Sequence, residues 1–451
     1  MPLQKILFKP GVNRENTRYT NEGGWYECDK IRFRQGTPEM IGGWQRISAY
    51  TYQGTCRSLW NWVTLSGLNL LGVGTNLKFY VENGGVYNDI TPIRKTQTLG
   101  SNPFALTAST TATVTAASHG CVTGDFVTFS GATSIGGGGT NVTSAILNAE
   151  YQVTVVDTNT FTITLSVTPN ATAIAGSPGG GSSVVATFQL NVGPAFQVPL
   201  QGWGGGTWGN GTWGYTTGVS EMRLWSQSNF GENLLFGPRG GGIYYWDQDV
   251  PTYARAINLN TPGSTTGAVS ITAASPAVCT TTSLLLTEGA AIQFSGTLPT
   301  GLATSTTYYA YQVDGLSFKL IDSLGNIVNT SGSASVGAYV SLLTDVPTVQ
   351  NQILVSDTSR FILAFGCNDY GSSTQDPMLI RWSDQESLYN WTPDATNQAG
   401  SIRLSHGSQI VSAIQTRQEI VVITDASVYS LQYLGPPYVW NSQLLGDNIS
   451  I

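Results

Sequence analysis

A short pattern of strand, tight turn and strand recurs along this sequence, and it restricts the fold to repeated β-sheets. In the first copy, residues 70–73 form an apolar run, residues 74–76 make a turn, and residues 77–81 alternate between apolar and other side chains. This alternation predicts two antiparallel strands with one buried face. Trp60 supplies a large side chain for burial on a preceding strand. The unit is predicted to be a small antiparallel meander.

Three further copies of this unit follow. From Leu363 in the third copy to Val422 in the fourth is 59 residues, near the roughly 40 to 50 residues of a four-stranded propeller blade. Repeated sheets that cannot bury their faces alone predict a propeller of radially packed blades. The strand segments of these copies are residues 222–225, 233–237 and 243–246; 353–355, 361–366 and 378–382; and 410–414, 420–424 and 428–433.

The composition favours an all-β chain and disfavours a surface that grips nucleic acid. Charged residues make up 10% of the 451 residues, well below the roughly 25% of ordinary soluble proteins. Glycine occurs 53 times, and the net charge is -7. A surface that holds DNA by its phosphates needs clustered lysine and arginine, which this composition does not favour. A channel through which DNA slides without sticking remains compatible.

No motif predicts a catalytic, cofactor or metal site. His119 and His406 have no cysteine or second histidine at ligand spacing. The sequence contains no GxSxG, HExxH or P-loop pattern. The five cysteines lie far apart without a CxxC pair, so we expect buried small side chains rather than a zinc site or a disulfide framework. They are Cys28, Cys56, Cys121, Cys279 and Cys367.

Two pairs of acidic residues form the one enzymatic alternative. Asp247 with Asp249, and Asp384 with Glu386, are each two residues apart at predicted strand ends. Such pairs can face one cleft, as the acid and the nucleophile of a glycosidase do. They also cap turns, and this second interpretation is the one we favour. The chain is therefore predicted not to be an enzyme.

The N-terminal region supports two predictions. The protein is made in a cytoplasm, and one strand has a basic face. The region lacks the apolar core of a signal peptide, and no run of about 18 apolar residues occurs. Ile31 and Phe33 alternate with Lys30, Arg32 and Arg34, which indicates a strand. The basic face either contacts DNA or a neighbouring subunit, or is simply solvated, and the second interpretation is favoured.

Five strings occur together: KPGVNRENTRYTNEGGWYECDKIRFRQGTPEMIGGW, CRSLWNW, LLGVGTNLKFYV, DPMLIRWSDQESLYNWTP and EIVVITDASVYSLQYLGPP. As a set they resemble the tail nozzle, or tail tubular, protein family of short-tailed bacteriophages. The resemblance covers most of the chain outside residues 104–190 and 264–345. It implies a propeller-like platform, hexameric around the DNA exit channel, that sits below an adaptor and portal.

The two stretches outside the resemblance are themselves a repeat. Each contains a glycine pair seven residues apart around a strand, and a tyrosine followed ten residues later by a phenylalanine. Both are rich in threonine and alternate in polarity, which predicts two small β-barrels. Exposed loops tolerate such insertions. The expected cores contain Val127, Phe129, Tyr151 and Phe161 in the first stretch and Ile292, Phe294, Tyr308 and Phe318 in the second.

Three tryptophans between these stretches allow two interpretations. Trp203, Trp208 and Trp213 are five residues apart, each followed by glycine. Five matches neither strand nor helix periodicity, so the glycines are expected to set irregular turns. An exposed row of indoles would bind sugar rings. Burial in a β core or a subunit contact is favoured, because tryptophan is enriched at interfaces.

These observations predict an all-β chain with a propeller-like platform of antiparallel meander blades and two inserted small β-barrels. The expected regions are 1–103, N-terminal strands and first blade; 104–190, first barrel; 191–263, platform blade with the tryptophan repeat; 264–345, second barrel; and 346–451, platform blades. The apolar ending at residues 444–451 reads like the middle of a strand. The sheet that contains this strand would be completed by a further segment of the chain, by the N-terminal strand pairing beside residues 428–433, or by a neighbouring subunit.

The resemblance implies a virion structural protein that forms the tail nozzle and is assembled in the host cytoplasm. Its partners would be copies of itself in a ring, a hexamer by resemblance, together with adaptor and portal proteins, tail fibres and the host surface. Genomic DNA would pass through the ring without sequence-specific binding. A receptor-binding or glycan-binding tail fibre is the alternative function. No cofactor is expected under either interpretation.

Overall fold

The fold is all-β. The computed structural model describes residues 8–15, 17, 19–43, 48–191, 224–248, 255–259, 266–281, 291–304, 306–314, 316–322, 326–333, 335, 338–342, 345–395 and 397–449. Within these ranges the helices are two short turns, Ser144–Leu147 and Ala171–Ala175. In the described part of the chain, no helix has the length and apolar character to cross a membrane. The chain divides into two compact units, Met1–Thr51 and Tyr52–Ile451.

The first unit contains one hairpin and a small aromatic cluster. Ile31–Arg34 pairs with Thr37–Met40, which confirms the strand predicted from the alternation of apolar and basic residues. Trp25 packs between Phe8 and Phe33, with ring centroids 5.6 Å and 6.1 Å apart. The apolar side of the hairpin is therefore half-buried against this cluster, and its arginines lie on the exposed side.

Among the described residues, the second unit contains six antiparallel sheets of four strands, and four of these sheets are here called blades 1 to 4. In each blade the strands are adjacent in the order in which they occur along the chain, so each blade is a meander. This confirms the propeller-like platform of repeated meanders. Blade 1 is Cys56–Val63, Asn69–Thr75, Phe79–Asn83 and Val86–Asp89; blade 2 is Trp225–Phe230, Asn233–Pro238, Tyr244–Trp246 and Ile257–Asn258; blade 3 is Gln352–Val355, Ile362–Phe365, Leu379–Trp382 and Gly400–Arg403; blade 4 is Ile410–Gln415, Ile420–Thr424, Ser427–Gly435 and Val439–Asp447.

Consecutive blades pack face to face, which requires apolar residues on both sides of the inner blades. In blade 2, Leu234 and Phe236 join the core shared with blade 1, while Leu235 joins the core shared with blade 3. Phe236 stacks on Phe79 of blade 1 with ring centroids 4.0 Å apart. Strands buried on both faces are expected to be apolar runs rather than alternating patterns, and residues 234–236 form such a run. Each inner blade thus links two cores.

The first inserted region, here called module 1, consists of two four-stranded sheets around one core. Val127, Phe129 and Phe161 are fully buried in that core. Tyr151 is half-buried against it. One sheet contains, in order, Glu150–Gln152, Phe126–Ser130, Val185–Gln189 and Ile93–Thr98, and the other Thr154–Val155, Thr160–Thr164, Thr111–Thr115 and Phe104–Leu106.

The second inserted region, module 2, is a closed six-stranded barrel. Its core contains the predicted residues Ile292, Phe294, Tyr308 and Phe318, and it is continuous with the core between blades 2 and 3. Its strands follow the order Thr266–Ile271, Val278–Thr281, Ser317–Ile321, Thr307–Asp314, Ala291–Ser295 and Ala338–Leu342 around the barrel.

Module 1 meets the platform at a narrow neck. The backbone N–H of Leu190 donates to the carbonyl oxygen of Pro92 at 2.9 Å, so the two chain crossings lie side by side. Ile93–Thr98 pairs with Val185–Gln189 inside the module. The module therefore extends from residue 93 to residue 189 in the structure, and its first strand lies before residue 104.

One hypothesis for completing the last sheet is wrong. The strand Ser427–Gly435 has Ile420–Thr424 on one side and Val439–Asp447 on the other. A strand has only two edges for backbone hydrogen bonds, so Ile31–Arg34 cannot pair beside it. Residues 444–447 of the apolar ending belong to the fourth strand of blade 4 instead.

The stacked phenylalanines make the first blade junction a test of the packing. Replacing Phe79 by alanine empties a fully buried position, and we expect a loss of about 3 to 5 kcal/mol in the free energy of unfolding. Urea denaturation followed by tryptophan fluorescence measures this loss. The matched control is Leu65→Ala, at a side chain that is 93% exposed, which should change stability by less than about 0.5 kcal/mol. Equal effects of the two substitutions would refute the packing.

The neck predicts where module 1 can be removed. A deletion of residues 93–189, with a two-residue glycine linker, should give a soluble, folded platform because the two ends already lie within hydrogen-bond distance. A deletion of residues 104–190 leaves Ile93–Thr98 without its partner strand, and an unpaired edge favours aggregation. Size-exclusion chromatography of the two variants measures the difference. Equal recovery of monodisperse protein would show that the module boundary does not matter.

Candidate assembly surfaces and the central cavity

The first strands of the four blades surround a cavity of about 340 Å³. Ser58, Gln227, Gln352 and Ser412 contribute to its wall, one from each blade, together with Arg239 from a turn of blade 2. The first strand of a meander blade is the innermost one in a propeller. The cavity is therefore the central opening of the blade series.

Polar side chains of the cavity wall join neighbouring blades. The Gln227 amide donates to Ser58 Oγ at 2.6 Å between blades 1 and 2. The backbone N–H of Ile353 donates to Ser226 Oγ at 3.2 Å between blades 2 and 3.

The same kind of contact occurs between blades 3 and 4. There the Gln352 amide accepts from the Ala413 N–H and donates to the Ala413 carbonyl, both at 2.7 Å. These groups are used within the wall, so the cavity is primarily a joint between blades and not a ready ligand site.

Within the described residues, each end of the blade series has one sheet face that no other blade covers. On blade 1, Leu59 is 63% exposed and Val63 is 59% exposed. On blade 4, Ile414 and Leu445 are each 55% exposed. Clustered apolar exposure of this kind marks an interaction surface more often than scattered exposure does. Neither face was singled out by sequence reasoning.

A buried charge cluster ties module 1 to blades 1 and 2. The Lys78 side chain, 4% exposed, lies 2.9 Å from Asp89 and forms a shorter contact with Glu150 of module 1. Arg255, just before the last strand of blade 2, lies 3.1 Å from Asp89 and 3.7 Å from Glu150. Two cations and two anions balance one another, which is the condition for burying charge. Phe126 of module 1 covers the Lys78 ammonium at 4.6 Å.

The electrostatics of this cluster favour charged carboxylates. Burial of the Asp89 carboxyl acts to raise its pKa, but the charges of Arg255 and Lys78 and the hydrogen bonds from Thr91 and Lys78 outweigh burial and hold the pKa below its usual range. Burial raises the pKa of the neighbouring Tyr80 phenol to about 12. Asp89 therefore stays ionised and Tyr80 stays neutral at neutral pH.

A second buried cation lies in blade 3. Arg381 is fully buried and donates to Asp345 Oδ2 at 2.9 Å and to the Asn368 carbonyl at 3.1 Å. Its guanidinium lies 3.9 Å from the centroid of the Tyr370 ring. Asp345 follows the last strand of module 2, so this ion pair fixes the return of the chain from module 2 into blade 3.

The described members of the acidic pairs do not share a cleft. Asp384 Oδ1 accepts from the backbone N–H groups of Gln385 and Gln398, both at 2.9 Å. Glu386 pairs instead with Arg360 at 3.1 Å. The turn-capping interpretation describes Asp384. Asp247 takes part in contacts of its own, and Asp249 lies outside the described residues.

The histidines have structural partners. His119 is buried, its Nδ1 accepts from the Cys121 N–H at 3.0 Å, and its Nε2 lies 2.8 Å from the Asp157 carbonyl. His406 Nδ1 lies 3.0 Å from Ser405 Oγ and 3.2 Å from the Tyr429 hydroxyl. Among the described residues, no group of three or more histidine, cysteine or acidic side chains is placed to hold a metal ion.

The cysteines are separate thiols. All five are free. Cys121, Cys279 and Cys367 are buried, and burial raises the pKa of Cys121 to about 11 and those of Cys279 and Cys367 to about 12. A protonated, buried thiol behaves as a small apolar side chain, as predicted for these three. Burial was predicted for all five cysteines, but Cys28 and Cys56 are only half-buried.

Two basic residues of the predicted basic strand face are paired with carboxylates. Arg32 Nε lies 3.2 Å from Glu39 on the facing strand, and Lys30 lies 3.8 Å from Asp29. Arg34 lies on the same exposed side. Trp203, Trp208 and Trp213 lie outside the described residues.

Comparisons with known proteins add little to these observations. No protein-family model and no curated protein matches the chain. Among solved structures, the phage phi92 endosialidase is similar over 85% of this chain, with 12% identity and a TM-score of 0.15. The chain spans 62% of the length of that protein. A likeness this weak carries no argument about function.

The charge cluster predicts a pH-dependent contribution to stability. Replacing Asp89 by asparagine leaves Lys78 and Arg255 with one carboxylate, and we expect a loss of about 3 kcal/mol in the free energy of unfolding at pH 7. The folded-state pKa of Asp89 lies below its unfolded value. Its contribution is therefore complete above the unfolded pKa and disappears as the pH falls through the folded pKa.

Denaturation of both proteins from pH 7 to pH 3 measures the effect. The difference in stability should be constant down to about pH 5 and shrink below pH 4. The control is Glu386→Gln, which breaks an exposed ion pair and should cost less than about 1 kcal/mol. A difference that grows toward acid would contradict the assignment.

Proposed function

We propose that this protein is a non-enzymatic virion structural protein that forms the nozzle of a short phage tail, as a ring of identical copies around the path of the ejected genome. The uncovered apolar faces at both ends of the blade series support this proposal most directly. A protein that acts as a monomer rarely leaves large apolar sheet faces exposed. A subunit of a ring needs two different contact surfaces, one for each neighbour.

The electrostatics support a conduit for DNA rather than a DNA grip. The chain has 27 acidic residues against 20 lysines and arginines. Several exposed arginines are paired with carboxylates, among them Arg14 with Glu27 at 3.3 Å and Arg403 with Asp376 at 2.7 Å. Tight binding of DNA requires cations that displace counterions from the phosphates. Neutralised arginines on an acidic protein leave little such binding, so a genome can pass.

The two modules provide the attachment surfaces in this proposal. Module 1 is held to blades 1 and 2 by partly buried ion pairs, and module 2 shares a core with blades 2 and 3. A rigidly held module transmits force to the ring, which suits contacts with the adaptor, the portal or tail fibres. Host-surface contact is a further use for the modules under this proposal.

The mass of the purified particle tests the ring. We expect closed rings, six copies by resemblance, in mass photometry and in electron micrographs of the isolated protein. Fluorescence anisotropy with labelled duplex DNA at 150 mM salt should show no binding below about 100 µM, the weak end of ordinary non-specific affinity. Trimers would favour the fibre alternative, and micromolar DNA binding would contradict a non-stick conduit.

A further inference from the structure

We propose that blade 4 of one copy packs against blade 1 of a second copy, so that the blade series continues from subunit to subunit. This inference rests on the ring proposed above, and it assigns the contact. The contact surfaces are the blade 1 face, which contains Leu59 and Val63, and the blade 4 face, which contains Ile414 and Leu445. The ring would then be held by a junction of the same kind as the three junctions inside each chain.

The second strand of blade 4 is apolar on both faces, although within the described residues only one of these faces packs against another blade. Along Ile420–Thr424, Ile420 and Val422 are fully buried against blade 3. Val421 and Ile423 alternate with them and point to the opposite face. Blades 2 and 3 have the same two-sided pattern, and both of their faces are covered. The pattern indicates that the second face of blade 4 is covered in the working assembly.

Blade 1 has the complementary uncovered face. Leu59 and Val63 lie on one side of the first strand, and the backbone register brings Val73 opposite Leu59 and Leu71 opposite Asn61 on that same side. Trp62 lies on the other side, in the core shared with blade 2. On this side Val73 is buried, whereas Leu59 and Val63 are exposed, and within the described residues no other blade packs against them.

The chemistry of the internal junctions identifies a blade as the occupant. At each junction, a polar side chain on the first strand of one blade hydrogen-bonds to the first strand of the adjacent blade. Ser412 lies on the first strand of blade 4, in the cavity wall, and it pairs in register with Ile423. It thus occupies the uncovered side, where the corresponding tie to a further first strand would form.

A second copy of this chain supplies both missing neighbours with one kind of contact. Each copy has one blade 1 face and one blade 4 face, so a head-to-tail contact covers both faces in every copy and closes a ring when the rotation permits.

Two face variants test this contact. Leu59→Lys with Val63→Lys blocks the blade 1 face, and Ile414→Lys with Leu445→Lys blocks the blade 4 face. Each variant alone should be monomeric in mass photometry, with association weakened more than about 100-fold, because unpaired ammonium groups would be buried. The 1:1 mixture should form dimers, since each variant retains the face that the other lacks. Dimer formation also shows that both variants are folded.

The matched control carries two lysines at apolar side chains of similar exposure on module 1. Val122 is 56% exposed and Val156 is 61% exposed, and Val122→Lys with Val156→Lys should assemble like the wild type. Should a lysine variant misfold by circular dichroism, Leu59→Gln and Ile414→Gln provide milder blocks of the same faces.

Three results would overturn the inference. If the wild type forms rings and both face variants still do, the ring stands and the contact lies elsewhere. If one variant alone still dimerises while the other does not, the contact joins two identical faces. If the wild type is monomeric at micromolar concentration, the faces are covered by other parts of the same chain, and the ring proposal fails as well.

Discussion

Burial of apolar sheet faces against other sheets is the interaction on which this structure depends. A four-stranded meander cannot bury two apolar faces by itself, so each blade requires a neighbour on each side. The stack of Phe79 on Phe236 shows how one junction meets this need. The polar ties of the first strands then fix the angle between neighbouring blades around the cavity. At the two ends of the blade series, blades 1 and 4 expose apolar side chains on the face that has no neighbouring blade among the described residues.

Sequence reasoning found the blades because most of their strands are apolar, and it missed the strands that are not. In blades 1 to 3 the fourth strand was absent from the predicted set. Gly400–Arg403 and Val86–Asp89 are four residues long and largely polar or half-exposed, so they carry little periodicity. Ile93–Thr98 was missed for the same reason, since it contains mostly polar residues. The spacing of glycines and aromatic residues did locate both modules, because these residues determine their turns and cores.

The contacts that join module 1 to the platform, and the exposed faces of blades 1 and 4, left no signal in the sequence. Lys78 and Glu150 are 72 residues apart, and nothing in the local pattern of either predicts that they meet. The uncovered faces were equally hidden, because residues such as Val421 and Ile423 look like ordinary core residues until the structure shows which blade has a neighbour. The absence of catalytic motifs was readable, since motifs are local. Long-range pairing of charges and sheets depends on topology, which a single sequence specifies only indirectly.

The neck of module 1 has a consequence for how this protein can change over evolutionary time. Because the chain enters and leaves at Pro92 and Leu190, which are hydrogen-bonded to each other, recombination between genomes can replace the whole module as a cassette with two breakpoints. The incoming cassette is not unconstrained. It must present a carboxylate to Lys78 and Arg255, as Glu150 does, or the platform is left with an unbalanced buried charge. Compatibility of an exchanged module would then be decided by one acidic side chain at the junction with the platform.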